Sequence, residues 1–83
     1  MKILFVEDDR IIASGLCYSL TQEGYDITHC LNAAEANAAI INNDFDIAIL
    51  DINLPDGSGY DICNKIKGEK DIPVIFLTAI DDE

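Results

Sequence analysis

Three features of this 83-residue chain predict a doubly wound α/β domain built on one parallel sheet. Short apolar runs, Ile3-Leu4-Phe5-Val6, Ile47-Ala48-Ile49-Leu50 and Val74-Ile75-Phe76-Leu77, alternate with segments of helical spacing. Runs that are apolar on both parities read as strands buried on both faces, the habit of parallel sheets covered by helices. Each run stops abruptly at polar groups, Glu7-Asp8, Asp51 and Thr78. The links between elements are short, so right-handed crossovers in a sheet ordered 2-1-3-4 are expected.

In chain order, Ile3 to Val6 is the first strand. Asp9 can cap a helix in which Ile12, Leu16 and Leu20 recur every fourth residue, and Gly24 closes it. Tyr25 to Leu31 alternates more evenly, as a strand at or near a sheet edge does. Asn32-Ala33-Ala34-Glu35 has the form of a capping box, so the Ala-rich run to Ile41 should be helical. Phe45 to Leu50 is the third strand, and Asn53 to Gly59 is a turn that cannot continue it. Tyr60 to Lys67 has helical spacing and is expected to stop at Gly68, before Pro73 opens a fourth buried strand. Residues 1–83 therefore read as one small domain.

Composition narrows the function. The net charge of -11, with 16 acidic residues against 5 basic ones, argues against a nucleic-acid surface. Cys17, Cys30 and Cys63 are odd in number, lack metal or redox spacing and fall in apolar patterns, which favours buried free thiols. No signal peptide or membrane-length apolar segment is evident, and a reducing cytoplasm is the expected setting.

The chemistry lies at the strand ends. Strands one and three are neighbours in the predicted order, so Glu7, Asp8 and Asp51 should crowd together. Two carboxylates ~5 Å apart repel by roughly 3 kcal/mol at an effective dielectric of about 20. Such a cluster is partly protonated or holds a cation, and all-oxygen ligation suits Mg²⁺. Asp51, alone on the central strand, can act as a nucleophile towards phosphorus and form an aspartyl phosphate. Glu7 and Asp8 would then hold the metal, and the Thr78 hydroxyl could donate to a phosphate oxygen. Asp9 and Asp56 read as cap and turn formers, and His29 as a strand residue, since there is no second imidazole.

The three segments Ile3 to Asp9, Asp51 to Gly59 and Pro73 to Ala79 together resemble the receiver domain of two-component response regulators, in order and spacing along the whole chain. The resemblance implies a flavodoxin-like fold and a phosphoryl group accepted by Asp51 from a sensor histidine kinase. It implies that Asp8 and Asp51 ligate Mg²⁺, with the Asn53 backbone carbonyl as a third ligand and Glu7 completing the acidic pair, through water. Thr78 matches the switch hydroxyl, Ala79 the small residue beside it, and Gly59 the glycine that opens the third helix. The Leu54 to Gly59 turn looks like that of regulators with a winged-helix DNA-binding output. DNA would be reached only through such an output domain, outside this chain, and no membrane is involved. The module is a switch rather than an enzyme, although its site promotes its own phosphorylation and dephosphorylation.

The pattern departs from the family in one respect. Helix four, strand five and helix five are missing, with the lysine that ends strand five, so the chain reads as a fragment of a longer regulator. Self-association through the exposed fourth strand and the uncovered sheet face is an expected consequence. Two rival readings are a Mg²⁺-dependent phosphohydrolase with an aspartyl-phosphate intermediate and a flavodoxin-like binding module that works without phosphorylation. A phosphohydrolase that resembles the haloacid dehalogenases would have an aspartate where Asn53 stands, and the acids after strand one would repel a flavin phosphate.

Overall fold

A computed structural model describes residues 1–77, and Thr78 and Ala79 lie outside the described residues. Strands β1 (Lys2–Val6), β2 (Asp26–Cys30) and β3 (Ile47–Asp51) are followed by β4 (Asn53–Leu54), β5 (Gly57–Ser58) and β6 (Val74–Leu77). Helices α1 (Arg10–Gln22), α2 (Ala33–Asn42) and α3 (Gly59–Glu69) connect them. The main sheet is parallel throughout, in the order β2-β1-β3-β6, as predicted.

The alternation of side chains sends each buried strand to two cores. Leu4, Val6, Ala48 and Leu50 meet Ala36 and Ile40 of α2 and Ile62 and Ile66 of α3. On the opposite face Ile3, Phe5 and Ile49 meet Ala13 of α1, with Leu16, Cys17 and Leu20 packed at the margin. Phe5, Leu4 and Leu50 are fully enclosed. Each such side chain contributes about 1.5–3 kcal/mol of burial, so the central pair β1 and β3 anchors the fold.

The helix ends follow the sequence signals. Asp9 accepts from the N–H groups of Ile11 and Ile12 at 2.9 and 3.1 Å, and Gly24 takes a left-handed φ of 91° after α1. Asn32 accepts from Glu35 N–H at 2.8 Å, while the Glu35 carboxylate accepts from Leu31 N–H at 2.9 Å. The reciprocal bond thus falls one residue before the cap itself.

Four expectations need correction. The segment Asn53 to Ser58 is not a plain turn but a small antiparallel hairpin, with Asn53 opposite Ser58 and Leu54 opposite Gly57. α3 runs through Gly68 to Glu69, because nothing at Gly68 forces a left-handed exit and Lys70 N–H still reaches Ile66 O at 2.6 Å. β6 is not fully buried, since it is an edge among the described strands, and Ile75 is 49% exposed on the face that, among the described residues, α1 alone covers. Of the three free thiols only Cys30 is buried, while Cys17 and Cys63 are half-buried.

Candidate functional site

β1 and β3 run side by side with Val6 opposite Leu50, so the residues that follow, Glu7 and Asp51, emerge together at the carboxyl end of the sheet. One carboxylate oxygen from each of Glu7, Asp8 and Asp51 lies within 4.8 Å of the others. The register of two parallel strands therefore creates the cluster. Both strands are pinned by their apolar cores, so the like charges cannot separate by sliding.

The environment of each acid differs. Glu7 is 5% exposed, and its Oε2 accepts from Asp9 N–H at 3.0 Å. Burial pushes its carboxyl above the ordinary range, the Asp9 hydrogen bond opposes the rise, and the charges of Asp51 and Asp8 add to it. Asp51 is half-buried, and burial likewise raises it. The N–H groups of Asn53 and Ile52 oppose that rise, and the Asp8 charge adds to it. Asp8 is solvent-exposed and completes the mouth of the site. A buried and a half-buried acid that resist ionisation, beside an exposed third, form a donor set that a hard divalent cation would relieve.

Gly59 is the local condition for this geometry. It opens α3 immediately behind Asp51, and its N–H donates to Ile52 O at 2.8 Å. A Cβ at this position would overlap the Asp51 carbonyl oxygen and sit 3.3 Å from the Ile52 Cα. Only a residue without a side chain lets the helix start this close to the strand end.

Of the residues singled out in the sequence, Glu7, Asp8 and Asp51 are brought together. Asn53 stands two residues beyond Asp51 at the start of the hairpin and is exposed. Thr78, next in the chain after β6, lies outside the described residues. Asp56 is more than a turn former. Its two carboxylate oxygens accept from Ala33 and Ala34 N–H at 2.7 and 3.0 Å, clamping the hairpin tip to the start of α2. Those N–H groups hold its carboxyl below the ordinary range. Its partners lie more than twenty residues away in the chain, so no local pattern announces the contact. His29 is a strand residue of β2, as expected, and its ring also reaches the Glu7 backbone.

Comparisons with known proteins agree with this fold. Residues 3–83 match the response regulator receiver domain family. A probable transcriptional regulator, ycf27 of Cyanidium caldarium, is 38% identical over 80 residues, covering 96% of this chain and 32% of the relative. The chain thus spans about a third of that relative's length. Among solved structures, the response regulator TrrA of Thermotoga maritima, in complex with Mg²⁺ and BeF, superposes with a TM-score of 0.87 at 37% identity. That match covers 96% of this chain and 70% of TrrA. TrrA bound to the histidine kinase ThkA matches with a TM-score of 0.87 at 35% identity, over 98% of this chain and 71% of that one.

Proposed function

The chain belongs to the response regulator receiver domain family, and on that footing we propose that Asp51 is its phosphoryl acceptor, served by a Mg²⁺ site at Glu7, Asp8 and Asp51. The observation that carries this reading is the convergence of the three carboxylates within 4.8 Å at the end of the central strands. The donors are all hard oxygens, and two of them are acids raised by burial, which fits Mg²⁺. Asp8, Asp51 and the Asn53 carbonyl would ligate it, with Glu7 acting through water. When bound, the ion supplies positive charge against the oxygens of the transferring phosphoryl group.

The chain's own residues do the rest. An Asp51 carboxylate oxygen attacks the phosphorus of a phosphohistidine, and an O–P bond forms as the N–P bond breaks. The imidazole nitrogen leaves with the bonding pair. Gly59 and the β3 ladder hold Asp51 still, so little reorganisation accompanies the attack. Thr78 would donate its hydroxyl to a phosphoryl oxygen.

The donor we propose is a sensor histidine kinase, as in the complex of the similar TrrA with ThkA. The output would be transcriptional, as the likeness to a probable transcriptional regulator suggests, through a DNA-binding domain outside this chain. Among the described residues no helix is long and apolar enough to cross a membrane. A cytoplasmic setting, with kinase and reduced thiols, accords with this role. Residues 1–83 would form the partial phosphoacceptor domain, a switch whose site also promotes loss of the phosphoryl group.

The test is labelling with acetyl phosphate and Mg²⁺, followed by intact mass. One hydroxylamine-labile phosphoryl group is expected on a full-length regulator that carries this chain, and none on its Asp51→Asn variant. Labelling that persists in Asp51→Asn would move the acceptor elsewhere.

A further inference from the structure

β2 holds both backbone polar groups of Glu7. Its N–H donates to Cys30 O at 3.0 Å, carrying the β1–β2 ladder one residue past Val6. Its carbonyl oxygen accepts from His29 Nε2 at 2.8 Å. A carbonyl can only accept, so the proton of this contact sits on Nε2. The ring is aimed by packing: His29 pairs in register with Phe5, and the two rings lie 5.4 Å apart, tilted by 34°.

The oxygen that His29 holds belongs to the peptide joining Glu7 to Asp8. Asp8 is exposed, so packing does little to aim its carboxylate and the backbone on either side decides its direction. On the carboxyl side Asp9 is fixed through its N–H to Glu7 Oε2 and through its cap on α1. On the amino side the fixing group is His29. Three carboxylates within 4.8 Å repel one another, and a loose loop would relieve that by swinging Asp8 outward. A tether on the preceding peptide opposes the swing.

We infer that His29 is a positioning residue for the cation site, its Nε2–H fixing the Glu7–Asp8 peptide and so placing the Asp8 carboxylate opposite Asp51. The inference rests on reading Glu7, Asp8 and Asp51 as a divalent-cation site. It assigns a role to a residue that touches neither the ion nor the phosphoryl group. Outer-shell partners of metal ligands are typically worth about tenfold or more in affinity.

The experiment measures Mn²⁺ binding to the chain by the electron paramagnetic resonance of free Mn²⁺, with Mg²⁺ read by competition. His29→Phe keeps a ring on Phe5 and removes the donor, and it should weaken binding about tenfold. His29→Gln places an amide N–H at similar reach and should recover most of that loss. Wild-type affinity in His29→Phe overturns the inference, as does a Gln variant as weak as Phe. Asp8→Asn separates the two layers: unchanged Mn²⁺ binding there refutes the cation site itself, whatever His29 does. Should His29→Phe fail to fold, nitrogen NMR of the wild-type imidazole decides. An exchange-protected Nε2–H coupled to the Glu7 carbonyl, shifting during Mg²⁺ titration with the Asp8 amide, is expected. A freely exchanging ring indifferent to Mg²⁺ would overturn the inference.

Discussion

Placing a methyl group at Gly59 tests how Asp51 is held. In Gly59→Ala the new Cβ overlaps the Asp51 carbonyl oxygen and lies 3.0 Å from the Asp51 carbonyl carbon and 3.3 Å from Ile52 Cα. All three are backbone atoms at the end of a central strand, so no side-chain rotation relieves the contact. One effect favours alanine: a less flexible unfolded chain, which appears as helix propensity and is about 0.4–1 kcal/mol, less at a helix's first residue. Overpacking in a rigid interior costs about 1–3 kcal/mol, and a clash with backbone belongs at the upper end. The clash wins, for a net loss of about 1–2 kcal/mol.

Gly68→Ala supplies the contrast within the same helix. An added Cβ there meets nothing within 4 Å, and Gly68 is exposed and helical. The same change should therefore stabilise by about 0.5–1 kcal/mol. Urea unfolding at one fixed protein concentration reads both as opposite midpoint shifts at constant slope. Gly59→Ala should also weaken Mn²⁺ binding, because the displaced backbone carries Asp51. A Gly59→Ala midpoint at or above wild type, with unchanged Mn²⁺ affinity, would show that the strand end yields freely and that Asp51 is not held by this contact.

Three further outcomes are expected. Asp8→Asn removes a charge that pushes up both Glu7 and Asp51, so the metal-free chain should gain about 1 kcal/mol near neutral pH while losing Mn²⁺ affinity; a less stable variant refutes the repulsion. Asp56→Ala should lower the urea midpoint at neutral pH and converge with wild type in acid. The Asp56 carboxyl is lowered, so its contribution is present above the unfolded value and lost as pH falls through the folded one; a pH-independent difference would point to packing instead. Size exclusion with light scattering should show the mass of this chain rising with concentration, and Ile75→Lys, on the half-exposed edge strand, should reduce that rise. A monomer at every concentration would refute it.

How much was legible in the sequence depends on the range of each interaction. The strands β1 and β3 could be read because a run apolar on both parities has few alternatives, and their ends place Glu7 and Asp51 at one sheet edge. Asp9 and Asn32 could be read as caps because a cap bonds within three residues of itself. The contacts of Asp56 and His29 could not be read, since their partners are more than twenty residues away. The hairpin hid behind its Pro-Asp turn and two-residue strands, too short for any periodicity. Gly68 misled because glycine ends a helix only when it takes a left-handed φ, as Gly24 does. β6 misled differently. Its composition matches a buried strand, but burial depends on what covers each face, and composition does not report that.

The acidic cluster sets the fold against its own site, and the direction follows from the titrations. Glu7 and Asp51 are both raised, so the folded chain binds their protons more tightly than the unfolded chain does. Their contribution to stability is fully present below the unfolded carboxylate values and is lost as pH rises through the raised ones. Near neutrality the metal-free protein therefore carries the cost of one buried and one half-buried charge beside a third. A divalent cation should remove that cost only where the carboxylates are ionised, so the Mg²⁺-induced gain in urea midpoint should grow with pH across and above the carboxylate range. The clamps at Gly59, Asp9 and the Asp56–α2 contact make sense in this light. Each ties a loop bearing a site residue to an element packed on the apolar core, and so prevents the repulsion from being relieved by spreading the acids apart. If the Mg²⁺ gain were the same at every pH, the three carboxylates would not be the groups that feel the ion.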